Sequence, residues 1–148
     1  MSESSFWTYL RKRLPKGGHY TRIESHDTAT GFPDVHYTYH GNSGTIELKD
    51  AKRPGAKFPF RRESELRKSQ LDWIRDEVNT GGRVLLALQC GDRVYLLDAE
   101  YCYRKLRNMT EDQIDAEAVV RWRKGQKADA EDEYPIETQL RDLLECTR

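Results

Sequence analysis

Asp34, Glu47 and Lys49 are the residues of this 148-residue chain whose types and spacing could do chemistry together. They stand in Gly31-Phe32-Pro33-Asp34 and Ile46-Glu47-Leu48-Lys49, separated by one short stretch of chain. Two carboxylates brought within a few ångströms of each other repel, and one pKa rises unless a cation sits between them. A divalent ion removes that conflict, and oxygen ligands with several retained waters suit Mg²⁺ or Mn²⁺ rather than zinc. An ion held there activates a water, polarises a phosphate and stabilises the charge of an in-line displacement. Lys49 adds an ammonium that can orient the attacking water or hold a phosphate oxygen. The chemistry suited to this cluster is metal-dependent cleavage of a phosphodiester.

Strand alternation is what would position it. In Val35-His36-Tyr37-Thr38-Tyr39 the apolar and aromatic residues are the odd ones, and in Thr45-Ile46-Glu47-Leu48-Lys49 they are the even ones. Successive side chains on a strand point to opposite faces. His40-Gly41-Asn42-Ser43-Gly44 is rich in turn formers and predicts a tight antiparallel hairpin. A pairing that puts Val35, Tyr37 and Tyr39 on one face with Ile46 and Leu48 collects Asp34, His36, Glu47 and Lys49 on the other. A slip of one residue would bury the charges, which specifies the register. Taken singly, a Pro-Asp pair is a turn and a Glu-x-Lys is a solvated strand face. The two segments alternating in phase are what favour a site.

These residues resemble the PD-(D/E)XK nuclease superfamily, and within it are most similar to the small stand-alone VRR-NUC and Holliday-junction-resolvase-like nucleases of phages and bacteria. The motif reads Pro33-Asp34 and Glu47-Leu48-Lys49, and the resemblance spans roughly residues 20–98. It implies that Asp34 and Glu47 ligate Mg²⁺ or Mn²⁺, that the Leu48 carbonyl adds a ligand, and that Lys49 assists the nucleophile. The upstream acidic residue of the family falls at Glu24, where His26 or Asp27 could serve instead and an ordinary exposed charge is an equal reading. A glutamine on the following helix falls at Gln70. That residue has support of its own, because Leu66, Gln70, Trp73, Ile74 and Val78 recur at helical steps and put an amide on an apolar stripe. An unassisted amide there costs about 1–3 kcal/mol, so it needs a partner.

The predicted elements run helix (5–14), strands (19–25, 35–39 and 45–49), helix (63–79) and strands (83–89 and 94–97). Composition alone gives α/β or α+β. The resemblance implies a restriction-endonuclease-like mixed sheet of αβββαβ order flanked by helices. Residues 1–98 are read as the nuclease-like core. Residues 99–148 are read as a helical C-terminal extension, with helices near 111–124 and 136–146, packed on the core or on a partner within one structural domain. Ile136, Leu140, Leu143 and Leu144 form the stripe that must find a partner.

The formal net charge of zero, from 25 basic and 25 acidic residues, does not announce a nucleic-acid binder. Its distribution is more informative. Through Arg83 there are 15 Lys and Arg against 11 Asp and Glu, and beyond it 10 against 14, so the halves carry +4 and −4. The basic half holds the motif. Lys52, Arg53, Lys57, Arg61, Arg62 and Lys68 form its densest run and are the candidate DNA contacts, giving salt-dependent binding. Residues 54–59 predict a loop over the site.

Other chemistries fit poorly. His19, His26, His36 and His40 lack zinc-ligand spacing, although His36 shares the polar face with Asp34 and could contact phosphate. Three widely spaced cysteines argue for reduced thiols. No apolar run approaches the roughly 18 residues needed to span a bilayer, and no signal-peptide pattern is present, so a cytoplasmic protein is expected, in the host cytoplasm if phage-encoded. The function expected is a metal-dependent DNA endonuclease acting on double-stranded, branched or nicked DNA, with a homodimer as a candidate assembly. The alternative is a catalytically inactive protein of the same fold that binds DNA or a host protein.

Overall fold

The computed structural model describes residues 3–23, 31–125 and 135–146. At its centre, β2 (Val35–Tyr39) and β3 (Asn42–Asp50) form the expected hairpin, joined by His40 and Gly41 alone. Both turn residues have positive φ, 48° and 80°, as a two-residue turn with strand-matching twist requires. Val35 pairs with Ile46 and Tyr37 with Gly44, so the odd residues of β2 share a face with the even residues of β3. The register is the one the alternation specifies. Gly44 leaves room there for Tyr37, whose hydroxyl a Cβ would meet at 2.6 Å and whose ring at 2.8 Å.

Among the described residues, six strands make one sheet in the order β1-β2-β3-β4-β5-β6, with β1 at His19–Arg22, β4 at Val84–Cys90, β5 at Arg93–Asp98 and β6 at Val120–Arg123. Among these strands β3 and β4 run parallel and every other neighbouring pair antiparallel. The parallel pair needs a crossover, and α2 (Lys68–Asn79) supplies it over one face of the sheet. β4 is buried along its whole length, as its continuous apolar run predicts. On the opposite face, α1 (Glu3–Arg13) and α5 (Ile136–Glu145) cover Val35, Tyr37, Ile46 and Leu48 with Phe6, Leu10, Leu140 and Leu144. The C-terminal stripe thus docks on its own sheet. The α2 face holds a second cluster built from Phe60, Ile74, Leu86, Leu88 and residues of α3 (Ala99–Cys102) and α4 (Glu111–Glu117).

Two expected helices are corrected. The helix expected over 63–79 begins at Lys68, because Arg62 takes a positive φ of 59°, residues Arg62–Ser64 form a short 3-10 turn, and Glu65 and Arg67 are extended. Leu66 is buried, but ahead of the helix rather than on its stripe. The helix expected near 111–124 ends at Glu117, and Val120–Arg123 is instead the edge strand β6, paired antiparallel with β5. Val120 and Trp122 point inward while Arg121 and Arg123 stay exposed, a two-residue period that sequence reading absorbed into the preceding helix. No helix among the described residues is long and apolar enough to cross a membrane.

Candidate active site

Carrying the β2–β3 register one step beyond Val35 and Ile46 sets Asp34 directly opposite Glu47. Both carboxylates, with His36 and Lys49, therefore face the α2 side of the sheet. The Ile23 N–H donates to the Asp34 carbonyl at 2.7 Å, so the Asp34 backbone faces β1 and its neighbours Pro33 and Val35 face β3. Pro33 then stands across from Leu48, and proline has no N–H to offer the ladder. The Leu48 N–H donates to Asp34 Oδ2 at 2.9 Å instead. The Leu48 carbonyl, on the same side of its strand, meets no ladder donor at that position of β2.

Glu47 is 1% exposed, and its Oε1 accepts from Gln70 Nε2 at 2.8 Å. Gln70 Oε1 in turn accepts the Arg67 N–H at 2.9 Å, which satisfies one of the orphan donors at the start of α2. The buried amide has a partner at each end. One side chain both caps the helix and orients the carboxylate. Lys49 is also buried, and among the described residues no hydrogen bond or ion pair engages its ammonium. A buried cation thus shares one face of the sheet with two carboxylates.

The motif strand is held against α2 by contacts that sequence reasoning missed. Gly31 has φ +88°, and a Cβ added to it would sit 2.1 Å from the Ser69 carbonyl oxygen, so only glycine lets the backbone approach the first turn of α2 this closely. Phe32 meets Trp73 edge-on, with ring centroids 4.9 Å apart. Gly31 stands in the motif, yet its partner lies 38 residues away in sequence and no local signal names it. Beside the carboxylates, a groove of about 540 Å³ runs between hairpin and helix, with His36 and Thr45 on one wall and Trp73 and Glu77 on the other.

Glu24, His26 and Asp27 lie outside the described residues. Among the described residues, no group of three or more His, Cys, Asp and Glu side chains stands together as a metal cage. The oxygens that could hold an ion here are those of Asp34, Glu47 and the Leu48 carbonyl, all hard donors. Such a set fits Mg²⁺ or Mn²⁺ that keeps several waters, and would suit zinc poorly.

The six candidate DNA contacts divide in two. Arg61 is engaged within the protein, with Nε donating to the Arg107 carbonyl at 2.8 Å and Nη2 to Asn108 Oδ1 at 2.6 Å, and Lys68 pairs with Asp72 at 3.3 Å. Lys52, Arg53, Lys57 and Arg62 are exposed on the loop that leaves β3 just past Lys49. Those four line a cavity of about 320 Å³.

No family model and no curated protein matches the chain. Among solved structures it is similar to Hjc, a Holliday junction resolvase from the archaeal hyperthermophile Archaeoglobus fulgidus, with a TM-score of 0.52 over 78% of this chain and 89% of that one. The fold is restriction-endonuclease-like, a mixed six-stranded sheet flanked by helices. At 16% identity the likeness is one of fold.

Proposed function

We propose that the protein is a Mg²⁺- or Mn²⁺-dependent deoxyribonuclease that cuts DNA internally, with branched or nicked DNA as its substrate. The observation that carries this reading is the pairing of Asp34 with Glu47 across the hairpin, with buried Lys49 on the same face. The resolvase character of the structural neighbour supports branched DNA as the substrate class.

Asp34, Glu47 and the Leu48 carbonyl would hold the ion, which when bound supplies Lewis-acid activation of water and scissile phosphate. Gln70 keeps Glu47 in one orientation, so the carboxylate does not have to reorganise as substrate arrives. The Leu48 N–H does the same for Asp34. Lys49 holds a non-bridging phosphate oxygen or the attacking water, and its positive charge offsets the negative charge that grows in the transition state.

The test is incubation of purified protein with supercoiled plasmid and with a four-way DNA junction, with and without Mg²⁺ or Mn²⁺. Metal-stimulated cleavage is expected, and Asp34→Ala and Lys49→Ala should each lower its rate by roughly 100-fold or more. Cleavage that survives both substitutions undiminished would show that another site does the chemistry. Calorimetry with Mn²⁺ gives a second readout, in which Asp34→Ala should abolish binding.

A further inference from the structure

We propose that the loop between β3 and α2 is a pocket for one unpaired nucleotide of a DNA strand. The base rests on the Phe58 ring and the flanking phosphates on Lys52, Arg53, Lys57 and Arg62. The inference rests on the nuclease reading and deepens it, because it names what the site would prefer: DNA in which a base has left the stack, as at a flap, a branch point or a frayed end.

The cavity is built from both halves of a nucleotide's chemistry. Ala56, Phe58 and Pro59 give it apolar surface, and five cations line it, Arg61 among them, with Glu63 as the one carboxylate. Within residues 52–64 five cations face a single acidic residue, Glu63, in a chain that is neutral overall. Its volume, about 320 Å³, is at the small end of ligand sites and suits a single small group rather than a helix or a strand of protein.

The loop is formed before any ligand arrives. The Lys52 N–H donates to Ser64 Oγ at 2.9 Å and closes its base, the Ala56 N–H donates to the Arg53 carbonyl at 3.0 Å and makes its tip, and Phe60 is fully buried beneath it. Arg61, held by Arg107 and Asn108, lies over the Phe58 ring at 4.2 Å from its centre, and the exposed Lys57 ammonium lies over the ring at 5.3 Å, where an arriving base would displace it toward the phosphates. Phe60 anchors the loop, whereas Phe58, two residues earlier, stays only half-buried and lines the cavity. A surface that only tracked the phosphates of a continuous duplex would need the cations and not the ring. Every base has a π-face for an aromatic side chain, but in a duplex both faces are taken by neighbouring bases. An unpaired nucleotide is therefore the form of DNA that can use the ring and the cations at once. The pocket opens three residues past Lys49, so a strand seated in it is delivered to the carboxylates.

The test is a binding measurement in buffer free of divalent metal. Duplexes carry 2-aminopurine either as one unpaired flap nucleotide or paired within a continuous helix. The expected result is quenching of the flap probe on binding and a preference for the flap of about tenfold or more. Phe58→Leu, which keeps apolar bulk without a ring, should remove both, and Phe58→Trp should retain them, with the thermal midpoints of the variants unchanged. Equal affinity for flap and duplex, a preference that persists in folded Phe58→Leu, or displacement of the flap probe by equimolar 2′-deoxyadenosine 5′-monophosphate would overturn the proposal. Because this assay contains no metal, failure of cleavage on every substrate would sink the nuclease reading while an intact flap preference upheld the pocket.

Discussion

Replacing Gln70 by alanine removes a hydrogen bond to the buried Glu47 and another to the first turn of α2, leaving both groups without a substitute partner from that side chain. A loss of about 1–3 kcal/mol in folding stability is expected, together with weaker Mn²⁺ binding, measured by urea denaturation and calorimetry. Gln70→Glu is the sharper probe, since it sets a carboxylate against Glu47. That variant should be destabilised in metal-free buffer and should recover more stability from Mn²⁺ than the natural protein does; equal gains from the ion in both proteins would mean that position 70 does not face the proposed metal site. At this scale the placement was legible in the sequence, because the shared face of Asp34, Glu47 and Lys49 follows from a period of two and the need of Gln70 for a partner from a polar group on an apolar stripe. The second bond of Gln70, to the Arg67 amide, was not, since it depends on where α2 begins.

At the scale of elements, the approach of the motif strand to α2 is set by Gly31. Gly31→Ala forces a Cβ to within 2.1 Å of the Ser69 carbonyl and asks an alanine to hold φ +88°. The expected cost is at least about 1–3 kcal/mol, seen as a lowered thermal midpoint, with a fall in Mn²⁺ affinity as Asp34 is pushed from its place. An unchanged midpoint would mean that the strand and helix are not in close contact. The hairpin was readable because alternation is strict over both strands and a register slip would bury charge. The ends of the helices were not. Residues 62–67 have a helical composition, but the chain first has to cross from the end of β3 to the N-terminus of α2, and it does so with a positive φ at Arg62 followed by an extended run. β6 was hidden because four residues are too few to outweigh the helix before them; the pairing of Val120 with Leu96 and Trp122 with Val94 across the edge of β5 decides it.

For the whole molecule, burial sets the response to alkali. Burial pushes the thiols of Cys90 and Cys102 and the Tyr20 phenol up to about 12, from ordinary values of 9.0 for the thiols and 10.0 for the phenol. Each group keeps its proton in the folded state at a pH where the unfolded chain has released it. The stability tied to these protons is complete below about pH 9 and is lost as pH climbs toward about 12. Urea midpoints should therefore hold to about pH 9 and fall steadily from there to pH 11, and Cys102→Ser, which removes one such group, should flatten that slope; a midpoint that held constant throughout would contradict the burial of these groups. The sheet was legible as a mixed α/β design. The closing helix was legible from its apolar stripe, but the strand before it was not, and the face on which α5 docks is set by long-range ties such as those from Asn42 and Arg83 to its final turn.

The double use of Gln70 has a kinetic consequence. Helix ends open and close continually, and the opening of this one is also the release of Glu47, so the fraying of α2 and the disassembly of the site are one event seen from two sides. The Arg67 amide becomes a built-in reporter: its hydrogen-exchange rate should slow when Mn²⁺ is added, although it ligates nothing, and Asp34→Ala should erase that slowing.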